Sequence, residues 1–252
     1  MRLITSRDNP DIVSGIHNYC DKWCRRCEMT RRCAVYAMEE ADATDDAVDG
    51  DADNADFWNK IAETLTSAME MLRDMADQGG VDLDDVDWEA EEERHEASRR
   101  EVQAHPLVRS ARDYMSGVRK WFDVLETRAI ADHLDVSPSL DEQVLKDLGD
   151  VIVWYHTVIH TKLNRAVWNV VEGREEYNPE DESDADGSAK VALICIDRSM
   201  AAWWRMLGLF PGCANQIKKM LVHLDRLCRQ IEQTFPRARS FQRPGFDCLP
   251  GG

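Results

Sequence analysis

A chain of 252 residues with a hydrophobic fraction of 43% can bury a sizeable core in one domain or at most two closely packed ones, and one is favoured. Its 48 acidic against 31 basic side chains leave a net charge of −17, which argues against general nucleic-acid binding, since phosphate affinity depends on clustered Lys and Arg. No apolar run approaches the roughly 20 residues that a membrane helix needs, so no membrane association is expected.

The opening residues, MRLITSRDNP, hold no apolar signal region, which predicts a reducing, cytoplasmic setting with thiols in place of disulfides. A first helix is expected over 10–40, with Pro10 in its first turn, Asn9 as its cap and an interruption near Met29 and Thr30. Within it, HNYCDKWCRRCEMTRRC places Cys20, Cys24, Cys27 and Cys33 in a C-x3-C-x2-C-x5-C spacing. On a continuous helix His17, Cys20, Cys24 and Cys27 share one face, and Cys33 closes the set from the following turn. Four thiolates suit tetrahedral zinc or an iron–sulfur cluster. Structural zinc usually clamps two separate C-x2-C knuckles, and only one is present, so a [4Fe-4S] cluster on Cys20, Cys24, Cys27 and Cys33 is the expected cofactor and Zn the alternative. Lys22, Arg25, Arg26, Arg31 and Arg32 favour thiolates and form a basic patch for a redox or protein partner. Tyr19 and Trp23 are placed to shield the site from water.

The C-x2-C-x5-C of Cys24, Cys27 and Cys33 resembles the end of the cluster loop in helix-hairpin-helix DNA glycosylases, which carries a [4Fe-4S] centre. Cys20 departs from that pattern, three residues ahead where the family has six. The resemblance implies the cofactor and not DNA repair, since no helix-hairpin-helix glycine motif is found. Joined with WYHTVIHTKLNRA and DADGSAKVALICIDRS, the cysteine block also resembles a family of uncharacterised bacterial helical proteins. That likeness implies an all-helical fold and a cytosolic setting, and no activity.

Residues 41–56 read as an acidic loop without large apolar side chains. Neither this loop nor the run containing Glu182, Asp184, Asp186 and Gly187 has the register of a calcium loop. A second helix is predicted over 55–78, with Trp58, Ile61, Leu65, Ala68, Leu72 and Met75 as its apolar stripe and Gly79-Gly80 as its stop. The segment 79–104 is a charged linker, helical in part without a buried face. The bundle core occupies 105–235. There a helix from His105-Pro106 carries Leu107, Ala111, Tyr114, Val118, Phe122, Leu125 and Ala129 and ends near His133. The next, capped by Ser139 with Glu142 completing a capping box, is apolar on two stripes, one with Val153, His156, His160 and Val167. A buried helix over 187–209 contains the apolar run Val191 to Ile196, and a last amphipathic helix carries Ile217, Leu221, Leu224, Cys228, Ile231 and Phe235. The tail 236–252 is irregular. Cys195, Cys213, Cys228 and Cys248 lack ligand spacing and read as buried or free thiols, Cys195 as core. The expected fold is an all-α, single-domain bundle of about six helices bearing an N-terminal metal site.

His156 and His160, an i, i+4 pair, form a second constellation, with Asp197 as the facing carboxylate and Arg198 as an anion anchor. The competing structural reading is that the histidines bond Asp197 or backbone carbonyls, and that Asp197 and Arg198 are ion-paired. The E-x-x-H pairs of di-iron bundles are missing from these helices, since Glu92 with His95 lies in the linker. Trp154, Trp168, Trp203 and Trp204 read as core, with Trp154 and Trp204 as alternatives for lining a pocket. The expected function is electron transfer or redox sensing through a four-Cys cluster. The alternatives are a zinc-stapled interaction module and a metal-dependent enzyme at His156, His160 and Asp197.

Overall fold

The computed structural model describes residues 10–44, 55–80, 82–83, 85–130, 141–173 and 183–247. Among these there are seven α-helices: α1 (Ala34–Thr44), α2 (Ala55–Gly79), α3 (Trp88–Ala104), α4 (Pro106–Ile130), α5 (Glu142–Glu172), α6 (Asp184–Leu209) and α7 (Ala214–Thr234). No strand occurs among the described residues, so the fold is all-α as expected. The chain divides into two compact units, one of Met1–His17 with Arg26–His95 and one of Asn18–Arg25 with Glu96–Gly252. The caps placed on Asn9 and Ser139, the end near His133, most of the acidic loop and Cys248 lie outside the described residues.

The continuous first helix is not formed. Ile16–Tyr19, Cys24–Arg26 and Thr30–Arg32 are separate 3-10 turns, and α-helix begins only at Ala34. Three local features prevent propagation. Gly15 takes φ 71° and Lys22 φ 59°, both left-handed, and the Asp21 side chain turns back on its own backbone, accepting the Trp23 N–H at 3.1 Å. His17, Cys20, Cys24 and Cys27 therefore do not form one helical face.

In the first unit the Val13 N–H donates to the Arg32 carbonyl at 3.0 Å, and Arg32 Nε to the Asp11 carbonyl at 3.1 Å, tying 11–13 to the turn before Cys33. Ile12 and Ile16 are buried. Helix α2 has the predicted stripe but does not bury it, since Trp58, Leu65, Leu72 and Met75 are all more than half exposed.

The second unit is a four-helix bundle. Helices α4, α5, α6 and α7 touch in a ring, α4 to α5, α5 to α6, α6 to α7 and α7 back to α4, and α3 precedes them with Val102 alone buried. Pairings such as Tyr155 with Arg198 and Arg165 with Asp184 show that α5 and α6 run antiparallel. Trp203 Nε1 donates to the Tyr114 hydroxyl at 2.9 Å across the centre, satisfying both polar atoms of two fully buried rings. Helix α6 is buried nearly all round, as the run Val191 to Ile196 predicts.

Two starts differ from expectation. Asp141 caps α5, accepting from the amides of Gln143 and Val144. Ser183 caps α6 three residues earlier than predicted, its Oγ accepting the Asp186 N–H while Asp186 accepts the Ser183 N–H in return. Val153 is half exposed and Trp204 mostly exposed, so neither belongs to the core. The tail is packed more firmly than an irregular coil, with Phe235, Ala238 and Phe241 buried.

One contact fixes how residue 19 enters the bundle. A Cβ at Gly187 would lie 2.6 Å from Tyr19 Cδ1 and 2.7 Å from Phe241 Cζ, and the Tyr19 ring is pinned by its hydroxyl on Asp184 at 2.9 Å. Gly187→Ala gains up to about 1 kcal/mol of helix propensity but overpacks the site by about 1–3 kcal/mol, so a net loss is expected. Urea unfolding should show that loss, and the same substitution on a Tyr19→Ala background should show a smaller one, the Phe241 contact remaining.

Candidate functional site

A polar constellation surrounds the first cysteine loop, and its centre is Asp21. That carboxylate accepts the Tyr155 hydroxyl at 2.9 Å and Arg198 Nη1 at 2.5 Å on Oδ2, and the Trp23 amide on Oδ1. Its backbone carbonyl accepts Trp154 Nε1 at 2.9 Å. Arg198 also donates to the Tyr155 hydroxyl at 2.6 Å, closing a triangle of Asp21, Tyr155 and Arg198. Trp23 stacks on Trp154 with centroids 5.2 Å apart and meets Tyr155 edge-on at 5.5 Å. Such ring pairs contribute about 0.5–1.5 kcal/mol each beyond their area burial.

Two further anchors flank this triangle. Lys162, buried on α5, donates from Nζ to the Asn18 carbonyl at 2.6 Å. Burial lowers its pKa from the ordinary lysine value, and the neighbouring Cys20 thiol opposes that shift. Tyr19 donates to Asp184, which also accepts Arg165 Nη2 at 2.8 Å and the Asn169 amide. Residues 18–23 are thus held by α5 and α6 through side chains of both helices.

Cys20 follows the first 3-10 turn, Cys24 opens the second, Cys27 follows it, and Cys33 ends the third with extended backbone. All four are half-buried and none is in a disulfide. The Met29 N–H points at Cys27 Sγ at 3.4 Å, the kind of amide–sulfur contact that stabilises a thiolate. Among the described residues no group of three or more His, Cys, Asp or Glu is arranged to hold a metal ion. The donor chemistry fits a thiolate-bound centre, while the described arrangement does not itself gather the ligands.

The second predicted constellation is divided. His156 Nδ1 donates to the Val153 carbonyl at 2.5 Å, as the structural reading expected. Burial lowers the pKa of His156 and of His160, with the charge of Arg119 on α4 adding to the first shift and that of Arg112 on α4 to the second. Asp197 pairs instead with Arg239 at 2.6 Å, and Arg198 with Asp21. His156, His160 and Asp197 are therefore not shown to act on one substrate. His160 Nε2 is buried without a hydrogen-bond partner among the described residues, and His160 borders a shallow cleft with Thr161, Asn164, Arg165 and Trp168.

Sequence reasoning placed Tyr19 and Trp23 near the site but missed Asp21, Tyr155 and Lys162. The signal for Asp21 was slight: a lone acid among the basic residues of DKWCRR. Its partners are 134 and 177 positions away, beyond any local pattern.

Burial, then the charge of and hydrogen bond to Asp21, raise the Tyr155 pKa well above the ordinary phenol value; burial and Asp184 push Tyr19 up to about 12. A phenol raised above its unfolded value of about 10 contributes stability that is complete below that pH and is lost as pH rises toward the folded value. Stability from urea midpoints should therefore fall above about pH 10. Tyr155→Phe should lower the plateau at neutral pH by about 1 kcal/mol and flatten the alkaline fall. An unchanged alkaline slope in Tyr155→Phe would contradict the assignment. Comparison of the chain with protein-family models, curated proteins and solved structures gives no match.

Proposed function

We propose that the segment Cys20 to Cys33 binds a thiolate-ligated inorganic centre, a [4Fe-4S] cluster before zinc, and that the protein transfers electrons or senses redox state through it. The supporting observation is the outlay of structure on a short loop between two cysteines. Lys22 takes a left-handed φ of 59°, a conformation unfavourable for a side chain with a Cβ, between Asp21 and the stacked Trp23. Strained backbone persists only where surrounding contacts over-determine it, and here a buried lysine, a tyrosine, an arginine and two tryptophans do so. A loop that served only as a connection would not require this support.

The chemistry of the segment agrees. Its thiols are half-buried, outside disulfides and interleaved with Lys22, Arg25, Arg26, Arg31 and Arg32, which place positive charge along the segment. A cluster held by four cysteines supplies one-electron chemistry and leaves no coordination position for a substrate, so electron transfer or sensing precedes substrate activation. In this reading Trp23 and Tyr19 exclude water, Lys162 offsets thiolate charge beside Cys20, and the surrounding arginines recruit an acidic redox partner.

Anaerobic purification followed by iron, sulfide and zinc analysis tests the proposal. About four irons and four sulfides per chain with broad visible absorbance are expected, lost on Cys24→Ser or Cys27→Ser and retained in His156→Asn. One colourless zinc per chain would support the interaction module in place of redox chemistry. A metal-free protein, or metal retained after all four cysteines become serine, would overturn the proposal.

A further inference from the structure

Where α4 and α7 meet, the surface charge reverses. Ser110 of α4 and Lys218, Lys219, His223, Arg226 and Gln230 of α7 line a groove of about 540 Å³, with Val222 as its apolar edge and no carboxylate among the lining residues. The chain as a whole carries −17. Arg165, Arg198, Arg229, Arg239 and Arg243 each pair with a carboxylate. Lys218, Lys219 and Arg226 make no ion pair among the described residues. On so acidic a chain, three adjacent cations without a carboxylate partner leave a local positive field unneutralised.

The floor of the groove is fixed. His223 Nε2 lies 2.9 Å from the Ser110 carbonyl, which only accepts, so that nitrogen carries the proton and donates. The Ser110 hydroxyl, 3.1 Å from the same nitrogen, is left to direct its own proton elsewhere. A ring, a hydroxyl and three cations thus surround one concavity formed by rigid helices.

We propose that this groove is a binding site for a small oligophosphate anion, distinct from the cysteine segment. Its size and span select the ligand class. Lys218 to Arg226 covers eight helical steps, roughly 12 Å along α7, the reach of a di- or triphosphate with part of an attached group. The volume lies within the range of about 300–1,000 Å³ typical of small-molecule sites. A long polyanion such as duplex DNA extends past the groove onto an acidic surface that repels it. Inorganic triphosphate and a nucleoside triphosphate share the chemistry that these cations recognise.

Isothermal titration of the full chain with inorganic triphosphate, and separately with ATP, in magnesium-free buffer at fixed ionic strength tests the site. Saturable one-to-one binding is expected, weakened at least about tenfold in Lys218→Gln/Arg226→Gln and falling steeply with added salt. Both side chains are exposed, so the variant should keep the circular dichroism and melting temperature of the parent. Tighter binding of ATP assigns a nucleotide, and equal binding assigns the phosphate chain alone; either supports the site. Absence of saturation at millimolar ligand would overturn it. So would unchanged affinity in the double variant, sulfate bound as tightly as triphosphate, or a Glu-rich peptide bound more tightly than either phosphate.

Discussion

The organisation of the bundle unit around the cysteine segment depends on one buried-edge interaction, the Asp21 carboxylate shared by Tyr155 and Arg198. Two donors on neighbouring helices converge on one oxygen, while the other oxygen closes a turn within the segment itself. Charge-assisted bonds of this kind are stronger and more directional than neutral ones, and they require both helices to keep their register. The tryptophan pair extends the contact by apolar burial, and the Lys162 bond to the Asn18 carbonyl adds a second anchor about two turns further along α5. The local 3-10 path, the left-handed Lys22 and the Asx turn at Asp21 follow from this anchoring.

The bundle can supply such an anchor because its own core is complete without it. Trp203, Tyr114, Phe210, Leu193 and Ile196 are fully buried, and the Trp203 to Tyr114 bond satisfies the polar atoms at the centre. Around that core α6 has a rim of Asp184, Gly187 and Arg198 that meets residues 19–21. Small, acidic and basic positions alternate there because each answers a specific group: space for the Tyr19 ring, an acceptor for its hydroxyl, a donor for Asp21.

Much of this was legible in the chain. Helices α4, α5, α6 and α7 followed from periodicity and from the apolar run at Val191 to Ile196, since burial sets the pattern and burial is what a bundle consists of. The cysteine spacing marked the segment that carries the proposed chemistry. Less legible was anything decided by distant partners. Asp21 looked like one more charge in a polar stretch, and Asp184 and Asp186 resembled a failed calcium loop. In the folded chain Asp186 completes the capping box that Ser183 opens on α6, and Asp184 receives Tyr19, Arg165 and Asn169. Asp197 and the two histidines looked like one site because each flanked apolar sequence, yet Asp197 pairs with Arg239 while His156 bonds the Val153 carbonyl of its own helix. Helical spacing alone also misread residues 10–33, where one Asx turn and two left-handed residues outweigh propensity.

Amide hydrogen exchange at Trp23, whose N–H is bonded to the Asp21 carboxylate, tests most directly whether that anchor holds the cysteine loop. The wild-type amide should be protected from exchange, and in Asp21→Asn it should lose at least about tenfold of that protection, roughly 1.4 kcal/mol, while α5 and α6 keep theirs. A wild-type Trp23 amide that exchanges at the rate of an open chain, or protection that survives Asp21→Asn undiminished, would contradict the account.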